Sequence, residues 1–209
     1  VINSQTNSLS AQDIGQTTLP GFHNPVFDAT AVFRTVLDAM SRPGAIIKIP
    51  LTCESPNKLN SSAASILLAL ADMDTTVWLS PETECSDVAD YLRFHTGCTL
   101  KKNTSHCDFA VINGLEDSDL VMNLPIGSTE YPDRSATLII TVDHFNAEQK
   151  AVLSGPGIKT TSNLSPSPLN PKFWGWMKEN RNTFPCGVDV IFASPTHICA
   201  LPRSSEMDI

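Results

Sequence analysis

The stretch Ser135–Asp143 contains the run ATLIITV, which is apolar at nearly every position and shows no polar alternation. A strand of this composition has to be covered on both faces, a condition met by the buried strands of α/β sheets. The pattern therefore points away from an all-helical bundle and from a sheet with one wet face.

The flanking segments supply the partners. Apolar spacing predicts a helix over 28–41, with Phe33, Val36, Leu37 and Met40 on one face, Asp28 at its N-terminus and Arg42-Pro43-Gly44 ending it. Residues 45–49 (AIIKI) read as a short strand. A second helix, from Ser61 or Ser62 to Ala71, is apolar nearly all round and so calls for burial on most sides. Thr76–Leu79 is β-prone. A third helix is expected over 87–95, with Ser86 as its cap and Val88, Tyr91 and Leu92 inward. Strands follow at 109–112 and 151–153, then a helix at 171–180 with proline in its first turn and Phe173, Trp176 and Met177 inward. Residues 188–192 and 197–201 close the chain as two strands joined by a hairpin turn. The stretch 162–171, with three prolines in ten residues, reads as a surface connection. Interleaved helices and strands ending in a hairpin give an α/β domain with a mixed β-sheet flanked by helices, spanning 21–209. Residues 1–20, polar and nearly without aromatics, read as a flexible N-terminal arm.

Composition excludes several classes of function. Fourteen Lys and Arg against 22 Asp and Glu leave a net charge of −8, which disfavours nucleic acid and anionic membrane surfaces alike. No apolar run approaches the roughly 20 residues of a membrane-spanning helix. The first twenty residues lack the basic start and apolar run of a secretory signal. The six cysteines, at 53, 85, 98, 107, 186 and 199, form no Cys-x-x-Cys and read as free thiols packed in a protein of the reducing cytoplasm.

Candidate chemistry is sparse. His95, Cys98, His106 and Cys107 lie within thirteen residues and offer zinc-type ligands, but His106 and Cys107 are adjacent and no knuckle spacing is present. Ser154–Ile158 (SGPGI) could turn backbone N–H groups toward an anion, though it is neither a Walker loop nor a dinucleotide fingerprint, and a tight turn describes it better. Asp72 and Asp74 could bind Mg²⁺, yet an Asp-x-Asp after a helix is commonly a solvated turn. His23, His144 and His197 are scattered, and no nucleophile elbow accompanies them. Trp174, off the expected helix face, is a candidate for a partner surface. No residue is assigned a catalytic, cofactor-binding or metal role on these grounds.

Longer strings say more. Gly21-Phe22-His23-Asn24-Pro25-Val26-Phe27-Asp28-Ala29, Ala39-Met40-Ser41-Arg42-Pro43-Gly44, Leu70-Ala71-Asp72-Met73-Asp74-Thr75 and Leu92-Arg93-Phe94-His95-Thr96 occur in order. Tyr131-Pro132, Ser135-Ala136-Thr137-Leu138, Leu153-Ser154-Gly155-Pro156-Gly157-Ile158, Phe184-Pro185-Cys186-Gly187-Val188-Asp189 and Ala200-Leu201-Pro202-Arg203 follow. Taken together they resemble the PhnH family, the H subunit of the bacterial carbon–phosphorus lyase system, from Gly21 to Arg203. The resemblance implies a fold similar to that of pyridoxal-phosphate-dependent transferases without the cofactor, and a homodimer. It implies work with the G, I and L subunits in moving the ribose triphosphate unit of ATP onto methylphosphonate with release of adenine. It also implies a place in a core complex with the G, I and J subunits, and it carries over no catalytic residue. The residues agree: of eight lysines none has a recognisable cofactor setting, Lys159 beside the glycine loop being the least implausible. An acidic chain suits a supporting subunit better than a sole binder of ATP and phosphonate. An independent small-molecule-binding protein or transferase with its own site is the alternative. For the shared strings, turns, core packing and an ion pair of Arg93 or Arg203 form the architectural explanation, and a subunit-contact surface the other.

Overall fold

The structure is a computed structural model that describes residues 18–50, 53–146 and 151–208. Among these the chain forms α1 (Pro25–Ser41), β1 (Ile47–Lys48), α2 (Ser61–Leu70), β2 (Thr76–Leu79), α3 (Ser86–Thr96), β3 (Thr99–Lys101), β4 (Phe109–Asn113) and β5 (Thr137–Thr141). There follow β6 (His144–Phe145), β7 (Ala151–Ser154), β8 (Ser162–Leu164), β9 (Pro166–Ser167), α4 (Lys172–Asn182), β10 (Asp189–Ala193), β11 (His197–Leu201) and β12 (Glu206–Asp208). Most of the expected arm, residues 1–17, lies outside the described residues. Leu19 and Pro20 are tied to the domain: the Leu19 carbonyl is 2.8 Å from His95 Nε2, and the Pro20 carbonyl accepts from Glu54 N.

A seven-stranded mixed sheet in the order β1-β11-β10-β5-β4-β2-β3 is the frame. β10, β5, β4, β2 and β3 run parallel, while β11 is antiparallel to both β10 and β1. The apolar run lies at the centre as β5, with β4 on one side and β10 on the other, and its continuous hydrophobicity follows from burial on both faces. Alternate side chains divide the core. Val77, Val111, Ile139, Ile191 and Ile198 pack toward α1, α2 and α3. Trp78, Ile112, Leu138, Ile140, Phe192 and Cys199 pack toward α4 and the small sheet β12-β7-β8.

Several expectations need correction. α1 starts three residues before Asp28: Pro25 occupies its first turn, the Asn24 side chain accepts from Phe27 N at 3.5 Å, and Asp28 accepts from Asn24 N at 2.8 Å. This is the reciprocal arrangement of a capping box. Its buried face is Val32, Val36 and Ala39, whereas Phe33 and Leu37 remain 45% and 52% exposed. The small Val and Ala side chains let the helix approach α2 and β11 closely, which leaves the bulkier pair outside. α3 begins at Ser86, preceded by Cys85 without a side-chain cap, and ends on Gly97 in the left-handed region (φ 71°). The proline-rich stretch 162–171 holds two short strands, β8 paired with β7 and β9 paired with β6. Trp174 is buried rather than turned to a partner, and Trp176 is the half-buried one.

Candidate functional site

The ligand sets suggested by spacing do not come together. Cys98 packs on the α1–α3 side of the sheet and Cys107 on the α4 side, so no single ion can reach both. His95 instead lies edge-on to Tyr91 at 4.6 Å and contacts the Leu19 carbonyl. Asp72 accepts a hydrogen bond from Asp74 N at 3.0 Å, an ordinary turn closing α2. The glycine loop is a packing device: a Cβ on Gly157 (φ 83°) would meet the Ser41 carbonyl oxygen and Pro43 Cδ, the latter at 2.8 Å. It sits near the amino ends of the parallel strands, where Gly155 approaches Ser204, and exposed Lys159 follows it. Of the two arginines considered for a structural ion pair, Arg203 holds the enclosed one, with Asp189 at 2.6 Å, while Arg93 makes an exposed pair with Asp90.

In an open parallel sheet the productive crevice lies at the carboxyl ends of the strands, where connections diverge. Here β2 leads through α3 to β3 on one side, and β4 returns on the other side of β2. A crevice of about 310 Å³ opens at this end, lined by Lys58, Asn60, Glu82, Thr83, Asn113 and Asp143 among others. Asn60 caps α2 by accepting from Ala63 N at 2.9 Å and donates to the Ala193 carbonyl at 2.6 Å, which ties the α2 N-terminus to the end of β10. Gly114 follows β4 at a point where its missing Cβ makes room for the Pro168 carbonyl oxygen.

Electrostatically the crevice is acidic. Among the described residues Glu82 and Asp143 line it together with one cation, Lys58. A third carboxylate, Glu116 on the turn after β4, lies beside the lining residues Glu82 and Asn113 and accepts from Ser80 Oγ at 2.6 Å and Asn113 N at 2.7 Å. Reading the sequence missed this group entirely. Its only local signal is a polar Asn-Gly-Leu-Glu turn directly after a strand, which is common in surface loops.

All six thiols are free. Burial pushes the Cys199 thiol up to about 12, opposed by a hydrogen bond from Gly44 N. Cys107 is raised to about 12 as well, by burial first and then by neighbouring Asp108. Burial likewise raises the Tyr91 phenol, with Cys53 and Glu54 beside it adding to the effect. For such acids the folded pKa exceeds the unfolded one, so the unfolded chain ionises first as pH rises. Stability is expected to hold up to about pH 8.5 and to fall between there and pH 12. Urea unfolding across that range checks it; a rising midpoint above pH 9 would contradict the assignment. Cys107 and Cys199 are also expected to resist alkylation at pH 8 in the native state and to react on unfolding.

The fold and crevice define an open-sheet α/β protein whose switch point is lined by amides and carboxylates. A family model described as "Bacterial phosphonate metabolism protein (PhnH)" matches residues 20–208. The chain belongs to this family. It is 32% identical to the "Alpha-D-ribose 1-methylphosphonate 5-triphosphate synthase subunit PhnH" of Rhizobium meliloti (strain 1021), over 90% of this chain and 94% of that protein. It is 26% identical to the "Putative C-P lyase subunit protein HtxG" of Stutzerimonas stutzeri, over 85% of this chain and 84% of that one.

Proposed function

We propose that this chain is a non-catalytic subunit of a carbon–phosphorus lyase core complex, acting in phosphonate catabolism. In this reading it works with the G, I and L subunits in transferring the ribose triphosphate unit of ATP to methylphosphonate. It binds the G, I and J subunits as a homodimer in the cytoplasm. The observation that carries the reading is the near end-to-end family match, together with a relative matched over 94% of its own length and named as a synthase subunit. The crevice supports the absence of catalysis by this chain: among its described lining residues Glu82 and Asp143 outnumber Lys58, a poor setting for a triphosphate or a phosphonate. Among the described residues no helix is long and apolar enough to cross a membrane.

Descent from the pyridoxal-phosphate transferase fold belongs to the same proposal. That cofactor needs a Schiff-base lysine and an acidic partner for its ring nitrogen. Lys159, the sequence candidate, follows a loop packed at the opposite end of the sheet, and Lys58 stands exposed at the crevice rim. The residues therefore do not fit the cofactor.

Co-expression of the tagged chain with the G, I and J subunits, followed by size-exclusion chromatography, tests the assembly. Elution in one large species is expected, and elution as a free protein would overturn it. The outward side of α1 gives a sharper version, because Val26, Phe27, Phe33 and Leu37 are exposed apolar side chains on one helix. Phe27 is 73% exposed, so Phe27→Glu is expected to change stability by less than about 0.5 kcal/mol. In the complex the same change is expected to weaken co-elution at least ~10-fold, the loss of a contact of roughly 1.4 kcal/mol.

A further inference from the structure

At the carboxyl end of the sheet three donors face the two oxygens of one carboxylate: the Ser80 hydroxyl and the main-chain N–H of Asn113 meet one oxygen, and the main-chain N–H of Glu82 meets the other. They come from the ends of β2 and β4, the pair of strands from which the connections diverge. Two N–H groups and a hydroxyl spread over both oxygens form a donor set suited to a carboxylate. Ser80 has no exposed surface, and Thr83 beside it, 3.0 Å between hydroxyl oxygens, is buried too. The cradle is therefore built into the core edge rather than draped over the surface.

Its occupant is the chain's own Glu116. Oε2 accepts from Ser80 Oγ at 2.6 Å and Asn113 N at 2.7 Å, and Oε1 accepts from Glu82 N at 3.3 Å. The turn itself is closed by Glu116 N donating to the Asn113 carbonyl at 3.0 Å, so the contacts to Ser80 and Glu82 are not needed to make it. Those two partners lie 36 and 34 residues away in the chain. We propose that this cradle is a carboxylate-binding seat closed from within by Glu116, and that a small free carboxylate takes the seat once that side chain is removed. The inference concerns the chain alone and does not rest on its assembly with other subunits. Glu82 and Asp143 line the adjoining crevice, and their charge favours a monoanion over a phosphate-bearing ligand.

Truncation of Glu116 to alanine deletes a group equivalent to acetate, which supplies the probe. Glu116→Ala is expected to lower Tm by roughly 4–8 °C, because buried donors lose a charged acceptor. Sodium acetate is expected to restore most of that loss with saturation, whereas equal sodium chloride is not. The wild type and Glu116→Gln, in which the seat stays filled, should show no saturable response to acetate. Equal acetate responses in all three proteins would overturn the proposal, as would saturable acetate binding by the wild type. Should Glu116→Ala not fold unaided, refolding in acetate but not in chloride, read by circular dichroism, supports the seat; failure in both overturns it.

Discussion

Replacing Phe192 by alanine is expected to destabilise the protein by about 3–5 kcal/mol, which corresponds to a Tm lower by roughly 6–20 °C. Phe192 lies in β10 between β5 and β11, is fully buried, and meets the Phe173 ring edge-on at 5.4 Å. Phe173 in turn packs on Trp174 and Trp176, so the deletion removes one of the contacts that seat α4 on the sheet, beside those of Trp174 and Met177. Neighbouring strands hold the backbone in place and prevent the cavity from collapsing. Denaturant unfolding of Phe192→Ala and Phe33→Ala provides the check. The second, on the exposed side of α1, is expected to change stability by less than about 0.5 kcal/mol. A loss below about 1 kcal/mol for Phe192→Ala would mean that α4 does not pack as described.

Arg203→Ala is expected to cost about 3 kcal/mol, at the lower end for breaking an enclosed ion pair because the partners keep some exposure. The Arg203 and Asp189 side chains are 15% and 18% exposed and pair through two nitrogens, at 2.6 and 3.1 Å. The guanidinium also donates to the Pro132 carbonyl and to Ser135 Oγ, each at 2.6 Å. Three separated pieces of chain, at 132–135, 189 and 203, are therefore joined by one side chain, and truncation leaves Asp189 as an uncompensated charge. Arg203→Lys retains the charge but not the fork, so most of the loss should persist. Full stability in Arg203→Lys would show that charge alone matters.

That clamp also explains part of the family resemblance. The stretch from Tyr131 to Ala136, Val188-Asp189 and Pro202-Arg203 are far apart in sequence, yet Pro132, Ser135, Asp189 and Arg203 form one network. Likewise Pro43 meets the Gly155-Pro156-Gly157 turn at Gly157. In the structure these strings form turns and joints of the fold. The crevice was not legible in the same way. Ser80, Asn113 and Glu116 are ordinary surface residue types at positions 80, 113 and 116, and nothing in their spacing marks them. They meet because β2 and β4 are neighbours, which depends on strand order.

Buried Asn180 gives a further case. Its side chain bonds both the N–H and the carbonyl of Val188, at 2.7 and 2.9 Å, completing backbone pairing that no strand supplies. Helical spacing from Phe173 and Met177 puts the residue on the inward face, but the polar partners that make an amide acceptable there come from a segment eight residues on. Similarly, the most apolar stripe of α1, through Phe33 and Leu37, is not the buried one, because packing favours the narrower Val32–Val36–Ala39 face.

Local composition was enough to set the classes of element and the centre of the sheet. The apolar run of β5, the all-round hydrophobicity of α2 and the β10–β11 hairpin are local properties, set by which side chains must leave water. Tertiary structure alone decided which face of α1 and α4 went inward, which strands became neighbours, and where Glu116 found its donors. Those outcomes depend on shape and on the pairing of polar groups across long sequence separations, and such interactions have no energy until the chain has closed around them.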